Sequence, residues 1–247
     1  MKQVLVIEND PGAPIGLLSH ILEEHGISYD LVPVDHAGVP SIQGYSAVIV
    51  LGGFQHVADF DRYPYFVDEE TLIRDAIDQD IAYLGICLGG QLLAHLLGAP
   101  VGPHTLFEAG FKEVQLTLDG ARDPLYRGLP EHQLVFQWHL DAFGLPNQAT
   151  LLATNEETPY QAFRYGGKAY GLQYHIEVLP ETFQQWLQTD ARYLTETMGP
   201  EVVTRLLQEW ESQSATYHQQ SALMFANFLQ VAGFLAPEAG VVSSGAV

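Results

Sequence analysis

The chain has 247 residues, 47% of them hydrophobic, enough to bury the core of one large domain. Acids outnumber bases 30 to 10, a formal net charge of -20, which argues against nucleic acid as a partner and weakens attraction to anionic membranes. A single cysteine excludes an intramolecular disulfide and suits a reducing, cytoplasmic setting.

In chain order, Val4, Leu5, Val6 and Ile7 make a short apolar run, which predicts a first buried strand over 3–7 and is too short for a signal-peptide core. The pattern then predicts a helix over 12–25, strands over 28–34 and 47–51, a helix over 66–79, a strand over 81–86 and a helix over 88–97. Such alternation implies right-handed crossovers and a three-layer α/β/α sandwich whose sheet is mostly parallel. Residues 111–174 read differently, as shorter strands over 113–118, 134–136, 150–153 and 161–165, added antiparallel at one side.

From Pro180 the pattern turns helical. After the Gly199-Pro200 break, Val203, Leu206, Leu207, Trp210, Tyr217, Met224, Phe225 and Phe228 recur near helical spacing. This C-terminal extension is expected to cover the domain or to offer a surface to a homodimer or partner. The expected division is a main α/β domain over 1–190, a helical extension over 191–235 and a disordered tail over 236–247. No apolar run approaches the roughly 20 residues of a membrane span.

The chemistry-bearing segment is Tyr83-Leu-Gly-Ile-Cys87-Leu-Gly-Gly-Gln91-Leu-Leu. An apolar strand runs into an apolar helix through Gly-x-Cys-x-Gly, the thiol form of the sharp turn that exposes a nucleophile above a sheet. Side chains at Gly85 and Gly89 would collide in so tight a turn. The first free N–H groups of the following helix favour the reactive thiolate. A base stands far downstream in Tyr170-Gly-Leu-Gln-Tyr-His175-Ile-Glu177-Val. Residues two apart on an extended segment share a face, so Glu177 is expected beside the His175 ring, fixing its tautomer and stabilising its charged form.

Other residues carry less. Trp138, His139 and Asp141 follow the strand predicted at 134–136 and are expected to line the same cleft; a rival His139–Asp141 pair is the weaker reading. His95, eight residues beyond Cys87, reads as packing. His56, Asp59 and Asp61 fit no compact zinc spacing and read as a solvated loop. No Cys pair, Walker-type loop or dinucleotide fingerprint is present, and neither metal nor cofactor is expected.

Together these segments resemble the class I, triad-type glutamine amidotransferases. The resemblance rests on Gly85-Ile-Cys87-Leu-Gly89-Gly-Gln91, on Gly171-Leu-Gln-Tyr-His175-Ile-Glu177 and on Val48-Ile-Val-Leu-Gly52-Gly53, and covers roughly residues 1 to 190. Phe136-Gln-Trp-His and Gln161-Ala-Phe-Arg-Tyr look most like stand-alone members related to the amidotransferase domain of GMP synthetase. The sequence departs from the family pattern at Ile176, where Pro is common, and at Phe54, where the loop often continues Gly-Gly-Pro.

The resemblance implies a flavodoxin-like sheet and a Cys87–His175–Glu177 triad. It implies an oxyanion hole from the backbone N–H groups of Gly53 and Leu88, and a contact of Gln91 with bound glutamine. The expected activity is hydrolysis of glutamine through a glutamyl thioester, with ammonia passed to a synthetase acting in trans. The alternatives are a free-standing γ-glutamyl amide hydrolase and a non-catalytic binding protein on the same fold.

Overall fold

In the computed structural model, which describes residues 2–236, strand β1 (Val4–Glu8) sends Val4 and Val6 to one face and Leu5 and Ile7 to the other; all four are fully buried. A strand buried on both faces must lie between two helical layers. One layer holds α1 (Leu17–Glu24), through Leu18, Ile21 and Leu22. The other holds α3 (Tyr65–Asp78) and α4 (Leu88–Leu96), through Phe66, Leu72, Ile73, Leu88, Leu92 and Leu93. The short α2 (Val34–Ala37) follows β2 (Tyr29–Pro33).

The remaining strands are β3 (Ala47–Val50), β4 (Ala82–Ile86), β5 (Val101–Leu116), β6 (His132–Phe143), β7 (Thr150–Thr154), β8 (Ala162–Tyr165) and β9 (Ala169–Leu172). They join one nine-stranded sheet of order β2-β1-β3-β4-β9-β8-β7-β5-β6. Pairing is parallel from β2 through β1, β3 and β4 to β9, and antiparallel from β9 onward to β6. This is the expected α/β/α sandwich with a flavodoxin-like parallel half and an antiparallel addition. The carboxyl ends of β1, β3, β4 and β9 therefore point to one edge, where ligands bind in open α/β sheets.

Two helices complete the chain, α5 (Pro180–Met198) and α6 (Val202–Val231). Met224, Phe225, Phe228 and Leu229 of α6 are buried in the same cluster as α1, each burial worth about 1.5–3 kcal/mol. α6 is thus the second helix of that layer. A third cluster, of Phe111, Phe136, Trp138, Phe183, Trp186 and Tyr217, joins α5 and α6 to β5 and β6. The expected boundary at residue 190 falls inside α5. The expected tail lies outside the described residues, except Ala236.

Three local expectations change. The helix expected over 12–25 begins only at Leu17, because Pro11 and Pro14 interrupt it and the Gly12 N–H donates to Asp10 Oδ1 instead. The strand expected over 113–118 is the end of a 16-residue β5, since Gly102 and Pro103 are accommodated by a register shift between Pro103 and Glu108 rather than by a break. The strand expected over 134–136 runs on to Phe143, so Trp138, His139 and Asp141 lie within β6 and not after it.

Candidate active site

Cys87 joins β4 to α4 with φ 50° and ψ -106°, one of three non-glycine residues at positive φ among those described. That sparsely populated conformation costs an L-residue roughly 1–3 kcal/mol, so its surroundings must impose it. The Cys87 N–H donates to Leu172 O of β9 at 2.8 Å, and its own carbonyl accepts from Gln91 N at 2.9 Å. A Cβ on Gly89 would stand 2.2 Å from Val50 O, so only glycine lets α4 start this close to β3. The result is a buried sulfur at the mouth of the parallel sheet, 6% exposed.

His175 reaches the same edge after β9. Its N–H donates to Phe136 O at 2.8 Å, a bridge that pulls the chain across to β6. The ring Nδ1 lies 2.6 Å from Glu177 Oε1, and the Ile176 N–H donates to Glu177 Oε2 at 2.9 Å. Both side chains are nearly dry, 3% and 2% exposed. The ring's Nε2 has no nitrogen or oxygen partner. Burial presses the His175 ring down, but the Glu177 carboxylate and the Cys87 sulfur outweigh it and raise the ring to about 10.

The helical layers brace this pair. The Leu17 N–H donates to Glu177 O at 2.9 Å, the Val178 N–H donates to the Tyr217 hydroxyl at 3.0 Å, and His218 Nε2 meets Val178 O at 3.0 Å. Trp186 sets its edge against the His175 ring at 4.9 Å between centroids. Gly52, just past β3, leaves the space between Cys87 and His175: a Cβ there would lie 3.0 Å from His175 Cε1 and 3.6 Å from Cys87 Cβ.

A cleft of about 340 Å³ opens from Cys87, lined also by Gly53, Gln55, Gln91, Trp138, His139 and Asp141. Gly53 abuts Leu88, the first residue of α4, whose side chain would be 3.0 Å from a Cβ at position 53. Gln91 is 3% exposed and donates to Asp141 O at 2.9 Å, so it ties α4 to β6. Trp138 Nε1–H donates to Asp190 Oδ2 at 2.9 Å. His139 is held by Gln137 Oε1 at 2.9 Å and Glu108 Oε2 at 3.0 Å, deep in the β5–β6 pair.

Burial drives the His139 ring toward the neutral form, against the opposing pull of Glu108. Burial also works against the Glu108 charge, but hydrogen bonds from His139 and the Thr158 hydroxyl outweigh it and hold that carboxyl well below its usual range. The rival His139–Asp141 pair does not form: Asp141 Oδ2 pairs instead with His56 Nδ1 at 2.8 Å. His95 pairs with Glu70 at 2.7 Å on the outer side of α4. Among the described residues no group of three or more His, Cys, Asp or Glu is placed to hold a metal ion.

The family model for class-I glutamine amidotransferases matches residues 14–192. The chain belongs to that family. This amidotransferase is 32% identical over 192 residues to the glutamine amidotransferase-like protein YfeJ of Salmonella typhimurium, covering 76% of this chain and 80% of that one. It is 33% identical over 203 residues to the GMP synthase of Campylobacter lari, covering 78% of this chain but 37% of that longer protein. Among solved structures, a glutamine amidotransferase of Thermotoga maritima superposes with a TM-score of 0.82 at 31% identity, covering 94% of this chain and 98% of that one.

Several lining residues of the amidotransferase cleft were not predicted. Gln55 and His56 come from the loop after β3, Phe107 from β5 at its register shift, and Asp190 and Tyr193 from α5. Among the described residues no helix is long and apolar enough to cross a membrane.

Proposed function

We propose that this chain hydrolyses the side-chain amide of glutamine through a γ-glutamyl thioester on Cys87 and releases ammonia to a separate synthetase. The observation that supports the reading is the dry His175–Glu177 pair, with Nε2 left without a nitrogen or oxygen partner, next to Cys87 at a strained strand-to-helix turn: a Cβ on Gly52 would lie 3.0 Å from His175 Cε1 and 3.6 Å from Cys87 Cβ. Cys87 Sγ attacks the amide carbon while the backbone N–H groups of Gly53 and Leu88 receive the developing oxyanion; losing one such donor typically costs about 10²–10³ in rate. His175 Nε2–H delivers its proton to the leaving nitrogen, the C–N bond breaks and ammonia departs. The neutral ring then takes a proton from water, whose oxygen attacks the thioester. The C–S bond breaks, the sulfur regains its starting state and glutamate leaves.

The cleft lining holds Asp141 and Asp190 and neither lysine nor arginine. Asp141 Oδ1 is buried without a hydrogen-bond partner, and in this reading it accepts from the α-ammonium of glutamine. Gln91 acts through Asp141, whose carbonyl it holds, while Trp138 and His139 form the far wall.

A second reading, hydrolysis of larger γ-glutamyl amides without a partner, is favoured by one feature. A neighbouring cavity of about 470 Å³ shares Phe107, Leu140 and Tyr193 with the cleft, so a bulky amine substituent has room to extend. Ammonia or amine release from glutamine and a panel of γ-glutamyl amides, with Cys87→Ala beside wild type, separates the readings. Cys87-dependent turnover of glutamine supports the first, a strong preference for a substituted amide supports the second, and silence on every substrate overturns both.

A further inference from the structure

Glu69 is the one fully buried carboxylate among the described residues that has no ion-pair partner. Glu108, Asp123, Asp141 and Glu177 are each buried against a histidine or arginine, whereas Glu69 is 0% exposed and faces none. It sits on the inner face of α3 in series with Phe66, Leu72, Ile73 and Ala76, a position where helical spacing asks for an apolar side chain. An acid there needs a reason, because burying an unpaired charge is far costlier than burying a leucine.

The polar group beside it is the side-chain amide of Asn9, just past β1. Neither Glu69 oxygen has a well-formed partner, and Asn9 Oδ1 lacks a donor as well, while Asn9 Nδ2 donates to Leu51 O at 3.3 Å. A carboxylic acid and a primary amide complement each other reciprocally: O–H donates to Oδ1, and the second Nδ2–H donates to the carboxyl C=O. A carboxylate cannot do this, because its oxygen and Asn9 Oδ1 would be two acceptors face to face.

Asn9 in turn reaches the site. Its backbone carbonyl accepts from Gln55 Nε2 at 2.8 Å, and Gln55 also donates to the Tyr65 hydroxyl at 3.2 Å. Asn9 Cβ would lie 3.2 Å from a Cβ on Gly53, so Asn9 is a wall against which Gly53 rests. Leu51, Gly53 and Gln55 thus all lean on Asn9, and Gly53 and Gln55 line the cleft.

We propose that Glu69 is a positioning residue for amide cleavage: its carboxyl group, donor and acceptor at once, clamps the Asn9 amide and so fixes the 51–55 segment that presents Gly53 to the substrate carbonyl. This inference rests on the functional reading above. The other titratable groups facing it are Tyr65 of the same helix and Tyr83 of β4, whose hydroxyl donates to Gly89 O at 2.8 Å. Beyond Tyr65 lie the acids Asp35, Glu8 and Asp10. None of these is a cation that would welcome an ionised Glu69. Burial pushes the Glu69 carboxyl up to about 8, against the weaker pull of the Asn9 N–H donor toward the ionised form, so at neutral pH the carboxyl carries the proton that the reciprocal pair needs. Ionisation in mild alkali leaves at most the single Nδ2–H bond and sets Oδ1 against a second acceptor, which loosens the clamp.

The test is the pH profile of kcat and kcat/KM for the preferred amide, in wild type, Glu69→Gln and Glu69→Leu. Glutamine keeps both a donor and an acceptor for Asn9 but cannot ionise. Glu69→Gln is therefore expected to retain neutral-pH activity and to lose the alkaline limb centred near 8, leaving the limb set by His175 near 10. Glu69→Leu, which keeps the packing and removes the clamp, is expected to lose about tenfold or more in kcat with a smaller change in KM. An unchanged alkaline limb in Glu69→Gln overturns the proposal, as does wild-type kcat in Glu69→Leu; if the leucine variant misfolds, the glutamine profile still decides. A wild-type protein that cleaves no amide overturns the functional reading and this inference together. Wild-type cleavage with an unshifted Glu69→Gln profile removes this inference alone.

Discussion

Replacing Glu177 by glutamine keeps the shape of the side chain beside His175 and removes its charge. The carboxylate serves two donors at once, His175 Nδ1–H through Oε1 at 2.6 Å and the Ile176 N–H through Oε2 at 2.9 Å. A carboxamide has one oxygen and one NH2. With its oxygen toward the ring, the NH2 confronts the Ile176 N–H; reversed, the NH2 donates to Nδ1 and moves the ring proton to Nε2, leaving no lone pair there to accept a proton. The ring's rise from 6.5 to about 10 survives an opposing burial penalty because Glu177 is the largest favourable influence.

That rise corresponds to roughly 5 kcal/mol at 1.36 kcal/mol per unit. Removing the carboxylate takes away the largest influence that opposes burial, so the ring titrates lower in the variant than in wild type. Hydrolysis is expected to fall by about 10²–10⁴, the scale seen when a triad carboxylate becomes an amide. The assay is an NMR titration of the His175 ring beside the rate measurement. Because the folded value is raised, the ring's contribution to stability is full below 6.5 and is lost as pH climbs through about 10; wild-type unfolding free energy should decline over that window and the variant's should not. A ring that titrates in the same range in both proteins, or unimpaired hydrolysis in Glu177→Gln, refutes the reasoning.

Gly52→Ala places a methyl 3.0 Å from His175 Cε1 while leaving the backbone unstrained, so the melting temperature should barely move while kcat falls about 10²-fold; steady-state kinetics beside thermal unfolding checks this. Tyr217→Phe removes the acceptor of the buried Val178 N–H and should cost about 1–3 kcal/mol in denaturant unfolding, with reduced kcat because Val178 follows Glu177. Glu69→Gln should also change the pH dependence of stability. The folded carboxyl stays protonated from 4.5 to about 8 while the unfolded one ionises, so wild type loses stability as pH rises through that window and the variant, measured by chemical denaturation, should not.

What the sequence reveals here is what local geometry controls. The elbow is legible because Gly85, Cys87 and Gly89 are fixed by a turn a few residues long. His175 and Glu177 are legible because neighbours at spacing two meet on any extended segment, although that segment lies past β9 and bridges to Phe136. Trp138, His139 and Asp141 were misplaced because β6 buries Gln133, Gln137, His139 and Asp141 as well as apolar residues, which hides the strand's alternation. Gln91 could be read as a surface amide until β6 supplies Asp141 O as its partner. The helical spacing of Met224, Phe225 and Phe228 is plain in the chain, but that they cover the α1 face depends on contacts some 200 residues apart. Glu69 is invisible for the opposite reason: an acid on a helix reads as solvated, and only the position of Asn9 gives it a task.

The most direct measurement of the central claim is intact-peptide mass spectrometry of wild-type protein acid-quenched during turnover with glutamine. The account predicts one glutamyl group on the peptide carrying Cys87, absent without substrate and absent in Cys87→Ala, which should also release no ammonia. Turnover by wild type with no adduct on Cys87, or undiminished ammonia release by Cys87→Ala, would contradict it.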